Sequence, residues 1–228
     1  AISYEMSNVH STGVGGSSII AVEGGKITVG PESVGAAPGP ACFGFGGTQA
    51  TITDVNLLLG VLDPETYLNG EMFLDSERSR AVITKTIAEP LGISLEDALV
   101  RMEDAYSKKM AGAFAYFVDD PETTTVAAFG GGGPMSACSA ARIAGVRHVL
   151  VPKLAAVFSA FGISFSDIAQ TYETNITGMD ANAVDEVKKE MGSKASRDMF
   201  QEGHELADCL LDWRLGTETA DGLASLSP

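Results

Sequence analysis

Positive charge is scarce in this chain: 15 Lys+Arg stand against 30 Asp+Glu in 228 residues, a formal net charge of −15. Such a surface repels phosphate backbones and anionic lipid, so neither a nucleic acid nor a membrane is expected as a partner. Long apolar runs are missing too. Nothing approaches the ~20 consecutive apolar residues of a membrane-spanning helix, and no basic segment precedes an apolar stretch as in a secretory leader. The chain opens at Ala1 rather than at methionine, as a processed chain or a piece of something larger would. Cysteine is limited to three widely spaced residues, Cys42, Cys138 and Cys209. With no CxxC and no Cys/His cluster, neither a zinc site nor a disulfide framework is supported, no residue is assigned as a metal ligand, and a reducing cytoplasm is the expected location. His10, His148 and His204 lack metal-ligand spacing. Disorder is excluded by the 45% hydrophobic content, which suffices for one large domain or a compact domain with a helical appendage.

Glycine is what the chain has in excess. It contributes 26 residues, 12 of them before position 61 and four in the run Gly130 to Gly133. Glycine gathered at particular turns marks backbone at positive φ, or backbone that something approaches closely.

Residues 8–12, 18–22 and 26–29 read as three short strands separated by glycine turns, with Gly24-Gly25 a hairpin signal. Gly30 to Gly47 is Pro/Gly-rich and aperiodic, a long loop of the kind that carries function. Thr53 or Asp54 is placed to cap a helix over residues 55–59, ended by Gly60. A second helix is expected over 76–89, stopping before Pro90. Ser94 with Asp97 approximates a capping box before a longer helix, whose Leu95, Leu99, Met102 and Tyr106 share one face. Residues 123–129 read as a buried strand running into Gly130–Pro134, followed by a helix over 135–144 and a strand over 148–151. Pro134 suits the first helical position. Beyond Asp180 the pattern turns charged and helical over 184–211, with Trp213 as a packing anchor and the last ten residues as a frayed tail. The order predicts an α/β fold with a mixed sheet flanked by helices over residues 1–179, and a C-terminal helical appendage over 180–228.

Two glycine clusters carry the chemistry. His10 to Ser18 includes Gly13, Gly15, Gly16 and Ser17 in a turn between two expected strands. Glycine there removes the Cβ atoms that would keep an anion from main-chain N–H groups, although a plain hairpin turn suits the same residues. It is neither a Walker loop, since no Gly-Lys-Ser/Thr follows, nor a dinucleotide fingerprint, since a strand follows it. In the second cluster, Gly130 to Gly133 link a strand to a helix N-terminus, where a flat ligand could lie on bare peptide and negative charge is favoured. Close strand–helix packing requires one glycine, and seldom four.

The two clusters resemble the phosphate and adenosine elements of the second half of the actin/sugar-kinase/heat-shock ATPase fold. Residues 30–42 (Gly-Pro-Glu-Ser-Val-Gly-Ala-Ala-Pro-Gly-Pro-Ala-Cys), 46–48 and 51–60 (Thr-Ile-Thr-Asp-Val-Asn-Leu-Leu-Leu-Gly) make the likeness closer. They resemble the hydantoinase A/5-oxoprolinase family, which includes the ATP-dependent acetone and acetophenone carboxylase subunits. The likeness continues through Phe129–Pro134 and Val157–Asp167, and so covers about residues 9–172. Residues 87–93 and the Phe-Ser-Ala-Phe-Gly element read as closer to the carboxylase branch. There are departures: Ser17 stands where the family's turn commonly ends in glycine, and Met135-Ser136-Ala137 replaces a common Leu-His-Ala. The half carrying an Asp-x-Gly-Gly-Thr phosphate loop, with which such a subunit begins, is absent.

The resemblance implies ATP-dependent activation of a ketone or a cyclic amide by phosphorylation of its carbonyl oxygen, with ATP and Mg²⁺ as cofactors. By it Gly13, Gly15, Gly16 and Ser17 hold phosphates, Gly131, Gly132 and Gly133 lie against adenosine, and Asp54 is the acidic group near Mg²⁺ or substrate. Helix capping is the other reading of Asp54. The partners implied are a subunit carrying the N-terminal ATPase half and a hydantoinase B-like subunit. A hydrolase, or a structural subunit using its glycines only for packing, remains open. Lys108 and Lys109 could reach a nucleotide or simply coat a solvated helix face. Cys42 reads as a small buried filler rather than a nucleophile.

Overall fold

The computed structural model describes residues 10–219 and 222–226. They fall in two compact units, one ending at Ser166 and the other beginning at Asp167.

The first unit starts with an antiparallel hairpin, β1 (Ser18–Glu23) and β2 (Lys26–Ser33), in register from Glu23↔Lys26 to Ile20↔Val29. Gly24 and Gly25 make its turn at φ 57° and 75°, which glycine adopts without a Cβ penalty. A short β3 (Ala50–Thr51) pairs with the other edge of β1, giving the order β2-β1-β3. The chain then forms α1 (Ile52–Leu58) and α2 (Ser76–Ile83). A wider helical turn over Thr84–Ala88 leads into α3 (Glu89–Leu91), which Gly92 ends in the left-handed region. Ser94 accepts from the Asp97 amide and caps α4 (Leu95–Ala115). The core lies between sheet and helices: Ile20 and Val29 from the hairpin meet Ile52 and Val55 of α1, Ile83 and Ile87, and Leu99, Met102 and Tyr106 of α4. Cys42, Leu57 and Leu74 form a smaller cluster beneath the glycine/proline loop.

Next come β4 (Thr125–Ala127), α5 (Gly133–Ile143), β5 (His148–Leu150) and α6 (Phe158–Ile163), with β4 and β5 paired in parallel. The second unit contains α7 (Ala181–Gln201), capped by Asp180, and a hairpin of β6 (Leu215–Thr219) and β7 (Gly222–Leu226). Tyr172 donates to Asp198 of α7 at 2.8 Å, and Lys188 lies 5.9 Å from the Trp213 ring centre. No helix among the described residues is long and apolar enough to cross a membrane.

Several expectations change. His10–Thr12 lie outside any strand, while Asn8 and Val9 lie outside the described residues. Instead of one mixed sheet there are three small ones, because no described strand links β4 to the antiparallel sheet. The strand over 123–129 shrinks to three residues, with Val126 half-buried between two exposed neighbours. Thr51, and neither Thr53 nor Asp54, caps α1. The tail is a hairpin in which Leu215 opposes Leu226.

Truncating Met102, which has 0% exposure, to alanine is expected to lower unfolding stability by about 2–5 kcal/mol in urea titration, since a cavity is left in a close-packed core. Burial, then the Asp198 hydrogen bond, pushes the Tyr172 phenol up to about 12. A raised acid keeps its proton in the folded unit, so its stabilisation is complete below the ordinary phenol value of about 10 and is lost as pH rises from there. Tyr172→Phe should remove one late tyrosinate step from an ultraviolet titration and flatten the stability loss between about 10 and about 12.

Candidate functional site

Residues 13–18 form a tight turn held by its own serine. The Gly15 amide donates to Ser18 Oγ at 2.9 Å, and the Ser18 amide returns to the Gly15 carbonyl at 3.0 Å. Thr53, in the first turn of α1, donates its hydroxyl to the Gly16 carbonyl at 2.9 Å and so joins turn to helix. On its other side the turn packs on β2, where a methyl group on Gly13 would lie 3.2 Å from Pro31 Cβ. These bonds use carbonyls and the Gly15 and Ser18 amides. The amides of Gly16 and Ser17 have no acceptor among the described residues.

The second glycine run sits beside this turn. A methyl group on Gly132 would lie 4.0 Å from the Gly16 nitrogen, so the two bends meet although more than a hundred residues separate them. Asn56 of α1 also contacts Met135 Sδ of α5, at 4.0 Å. Gly130 makes the strand-to-helix bend at φ 86°, with its amide on the Ala155 carbonyl at 2.7 Å. Helix α5 begins at Gly133 with Pro134 second, and Gly132 offers no side-chain cap. Pro134 has no N–H and the Met135 amide donates to the Gly132 carbonyl at 3.3 Å, so the amides of Gly131, Gly132 and Gly133 are the ones left without an acceptor among the described residues, at the positive end of the helix. Around Gly15, Gly131 and Gly133 a methyl group would meet no atom within 4 Å. The two bends thus meet beside open space, with main-chain donors on both sides.

Asp54 lies away from that space. It is 0% exposed, and both carboxylate oxygens accept from protein donors. Oδ1 takes the Cys42 amide at 2.9 Å and the Ser79 hydroxyl at 2.7 Å. Oδ2 takes the Thr51 amide at 3.1 Å, the Thr51 hydroxyl at 2.8 Å and the Ala41 amide at 3.4 Å. This is a capping box whose acid also reaches the glycine/proline loop and α2. Cys42 is buried against the same carboxylate. Burial, then Asp54, pushes its thiol far above the range of a reactive thiolate, which fits the filler reading. No group of three or more His, Cys, Asp or Glu could hold a metal ion among the described residues.

The partners of these groups were hidden from sequence reading. Ser79 is 25 residues from Asp54 and Thr53 is 37 from Gly16. The Thr51-x-x-Asp54 spacing was the available signal, since it is the spacing of a capping box. Of the helix lysines, Lys108 pairs with Asp104 on the surface, and Lys109 donates to the Val29 carbonyl.

Against known proteins, the family described as hydantoinase/oxoprolinase matches residues 1–172. The chain belongs to that family. It is 36% identical to the acetophenone carboxylase gamma subunit of Aromatoleum aromaticum over 182 residues, covering 75% of this chain and 24% of that protein. It is 38% identical to the caprolactamase subunit alpha of Pseudomonas jessenii over 172 residues, covering 73% and 25%. Among solved structures, a nucleotide-free acetone carboxylase superposes with a TM-score of 0.73 at 25% identity, covering 94% of this chain and 33% of that one. The ATP-dependent caprolactamase of P. jessenii superposes at 0.62 and 29% identity, over the same 94% and 33%. The family member thus spans about a quarter of these curated relatives and a third of the solved chains.

Replacing Asp54 by Ala or Asn should cost about 3 kcal/mol in denaturant unfolding, since either leaves buried donors facing no acceptor. Cys42 should resist iodoacetamide in the folded protein while exposed Cys138 reacts, as mass spectrometry would show. An Asp54 variant of unchanged stability would overturn this structural role for the carboxylate.

Proposed function

We propose that this chain forms the ATP-binding part of a multi-subunit ATP-dependent ketone carboxylase, with the two glycine bends as walls of an actin-like nucleotide cleft. The observation that carries this reading is the approach of the two bends, where a methyl group on Gly132 would lie 4.0 Å from the Gly16 nitrogen, with main-chain amides of Gly16, Ser17 and Gly131 to Gly133 left without an acceptor among the described residues. Gly13, Gly15, Gly16 and Ser17 hold the phosphate chain, and Gly131 to Gly133 lie along the adenosine. A triphosphate suits these walls because oxyanions accept from bare amides and from an uncapped helix start, and because any side chain at Gly15, Gly131 or Gly133 would fill the space. Preorganised donors of this kind are what phosphoryl transfer asks of a protein, since that reaction depends on positioning and charge neutralisation more than on a nucleophilic side chain. Bound ATP would supply the phosphoryl group that activates a ketone oxygen.

The described residues do not fit Mg²⁺ as ligands. Asp54 spends both oxygens on protein donors, so no step is assigned to a metal here. In this reading Asp54 is a positioning residue. The remainder of the cleft comes from a subunit or segment with the N-terminal ATPase half, working with a hydantoinase B-like subunit, and the chain alone is inactive. Three unpaired cysteines suit a cytoplasmic protein.

A cyclic-amide hydrolase is the second reading, favoured by the 38% identity to the caprolactamase alpha subunit. ATP turnover separates the two: dependence on a ketone with bicarbonate marks the carboxylase, and dependence on a lactam, hydantoin or oxoproline the hydrolase. Calorimetric titration of the assembled protein should show ATP binding that Gly132→Val weakens by about tenfold or more, at unchanged melting temperature. Nucleotide binding that ignores this substitution, or is absent from the assembly, would leave the structural-subunit reading in its place.

A further inference from the structure

We propose that Lys109 is a further anion-binding residue of the glycine cleft, placed to hold the phosphate chain of a nucleotide; the nucleotide part rests on the function proposed above. Among the described residues of the first unit, Lys109 is the one Lys or Arg side chain that is not exposed. Arg78, Arg80, Lys108 and Arg147 pair with carboxylates at the surface, and Lys26, Lys85, Arg101, Arg142 and Lys153 are exposed to water. Lys109 pairs with none: its ammonium donates to the Val29 carbonyl, a neutral acceptor, and has no other partner among the described residues. An ammonium carries three donors, and a partly desolvated cation without a counter-charge is unfavourable. Exposed lysines and arginines without an ion pair are solvated by water; a half-buried ammonium on a neutral carbonyl, in a chain with 30 acidic residues, is left short of a counter-charge.

The position points the same way. Val29 precedes Gly30, whose φ of 51° and surroundings leave no room for a side chain. A methyl group there would lie 2.9 Å from the Gly13 carbonyl and 3.3 Å from Lys109 Nζ. Ammonium, β2 and the start of the phosphate turn therefore converge on one point. A few residues along that turn, the Gly16 and Ser17 amides lack acceptors. One ligand class answers both deficits, a multivalent oxyanion such as a polyphosphate. It brings the missing negative charge to the ammonium and the missing acceptors to the amides. Lys109 acts here as a binding group, and no covalent step is assigned to it.

The experiment titrates the full protein, assembled with its partner subunits, with ATP, adenosine and inorganic tripolyphosphate in parallel. Lys109→Gln removes the charge while keeping a donor for the Val29 carbonyl. It should weaken ATP and tripolyphosphate by about tenfold and leave adenosine unchanged, and Lys109→Arg should retain most of the affinity. Equal losses for ATP and adenosine, or a loss explained by lowered melting temperature, would make Lys109 a structural strap and overturn the proposal. Unchanged ATP affinity in Lys109→Gln would overturn it too, while leaving the nucleotide reading intact. Lys109-dependent tripolyphosphate binding without any adenosine binding would sustain the anion site and remove the nucleotide. Should Lys109→Gln fail to fold, the parent supplies the test: affinity for tripolyphosphate must fall with salt and adenosine affinity must not.

Discussion

Asp54 is sealed from water, and the first unit is organised by the donors that had to be gathered around it. A buried carboxylate is tolerated only where its oxygens are satisfied, and here the satisfying groups come from three separate parts of the chain. Thr51 ties it to the sheet, the Ala41 and Cys42 amides bring in the glycine/proline loop, and Ser79 brings in α2. The loop also buries Pro40, Ala41 and Cys42, and the carboxylate satisfies the Ala41 and Cys42 amides that this burial removes from water. Helix α1 is fixed at its start by the same box. Because α1 carries Thr53, whose hydroxyl holds the Gly16 carbonyl, the geometry of the open turn depends on a carboxylate that never reaches it.

That arrangement separates two demands that conflict in one place. A phosphate-sized opening needs bare backbone, and bare backbone is conformationally loose. In this chain looseness at Gly15 and Gly16 is countered from behind, by Ser18 inside the turn, by Thr53 from α1 and by Pro31 against Gly13. At Gly130 to Gly133 the corresponding restraint is the Ala155 carbonyl on the Gly130 amide and the helix that Pro134 helps to start. Each wall is supported on the side away from the cleft, and the cleft side keeps its donors unspent.

Local signals in the sequence survived into the structure where they were self-contained. Gly24-Gly25 turned a hairpin, Ser94 capped the long helix, and the Leu95/Leu99/Met102/Tyr106 stripe faced the core, whereas the helix expected to stop before Pro90 runs on through it to Leu91. The glycine clusters were visible as clusters, yet nothing in residues 10–18 or 130–133 says that they touch. That contact is produced by the packing of distant elements. The same limit explains the misassigned cap. Thr51, Thr53 and Asp54 all have cap chemistry, and what chose Thr51 was the demand of buried amides 9–10 residues earlier for the carboxylate of Asp54. The mixed sheet was inferred from element order alone, which cannot say whether a strand exists to join β4 to β1. Two residues of the expected first strand lie outside the described residues, and the other three run as irregular chain.

Charge gives the last step. A protein at −15 could bind a triphosphate only by supplying positive potential locally, against its own surface field. Spreading lysines around the cleft would invite pairing with the abundant surface carboxylates, as the pairs at Asp75, Glu77, Asp104 and Glu122 illustrate. Main-chain N–H groups and a helix start cannot be neutralised in that way, because their partial charges are fixed by geometry. A single half-buried lysine, held by a carbonyl where no acid stands against it, escapes the same fate by position. An acidic surface and an anion-binding cleft are therefore compatible in one chain, provided that the cleft is built from backbone first and from protected side-chain charge second.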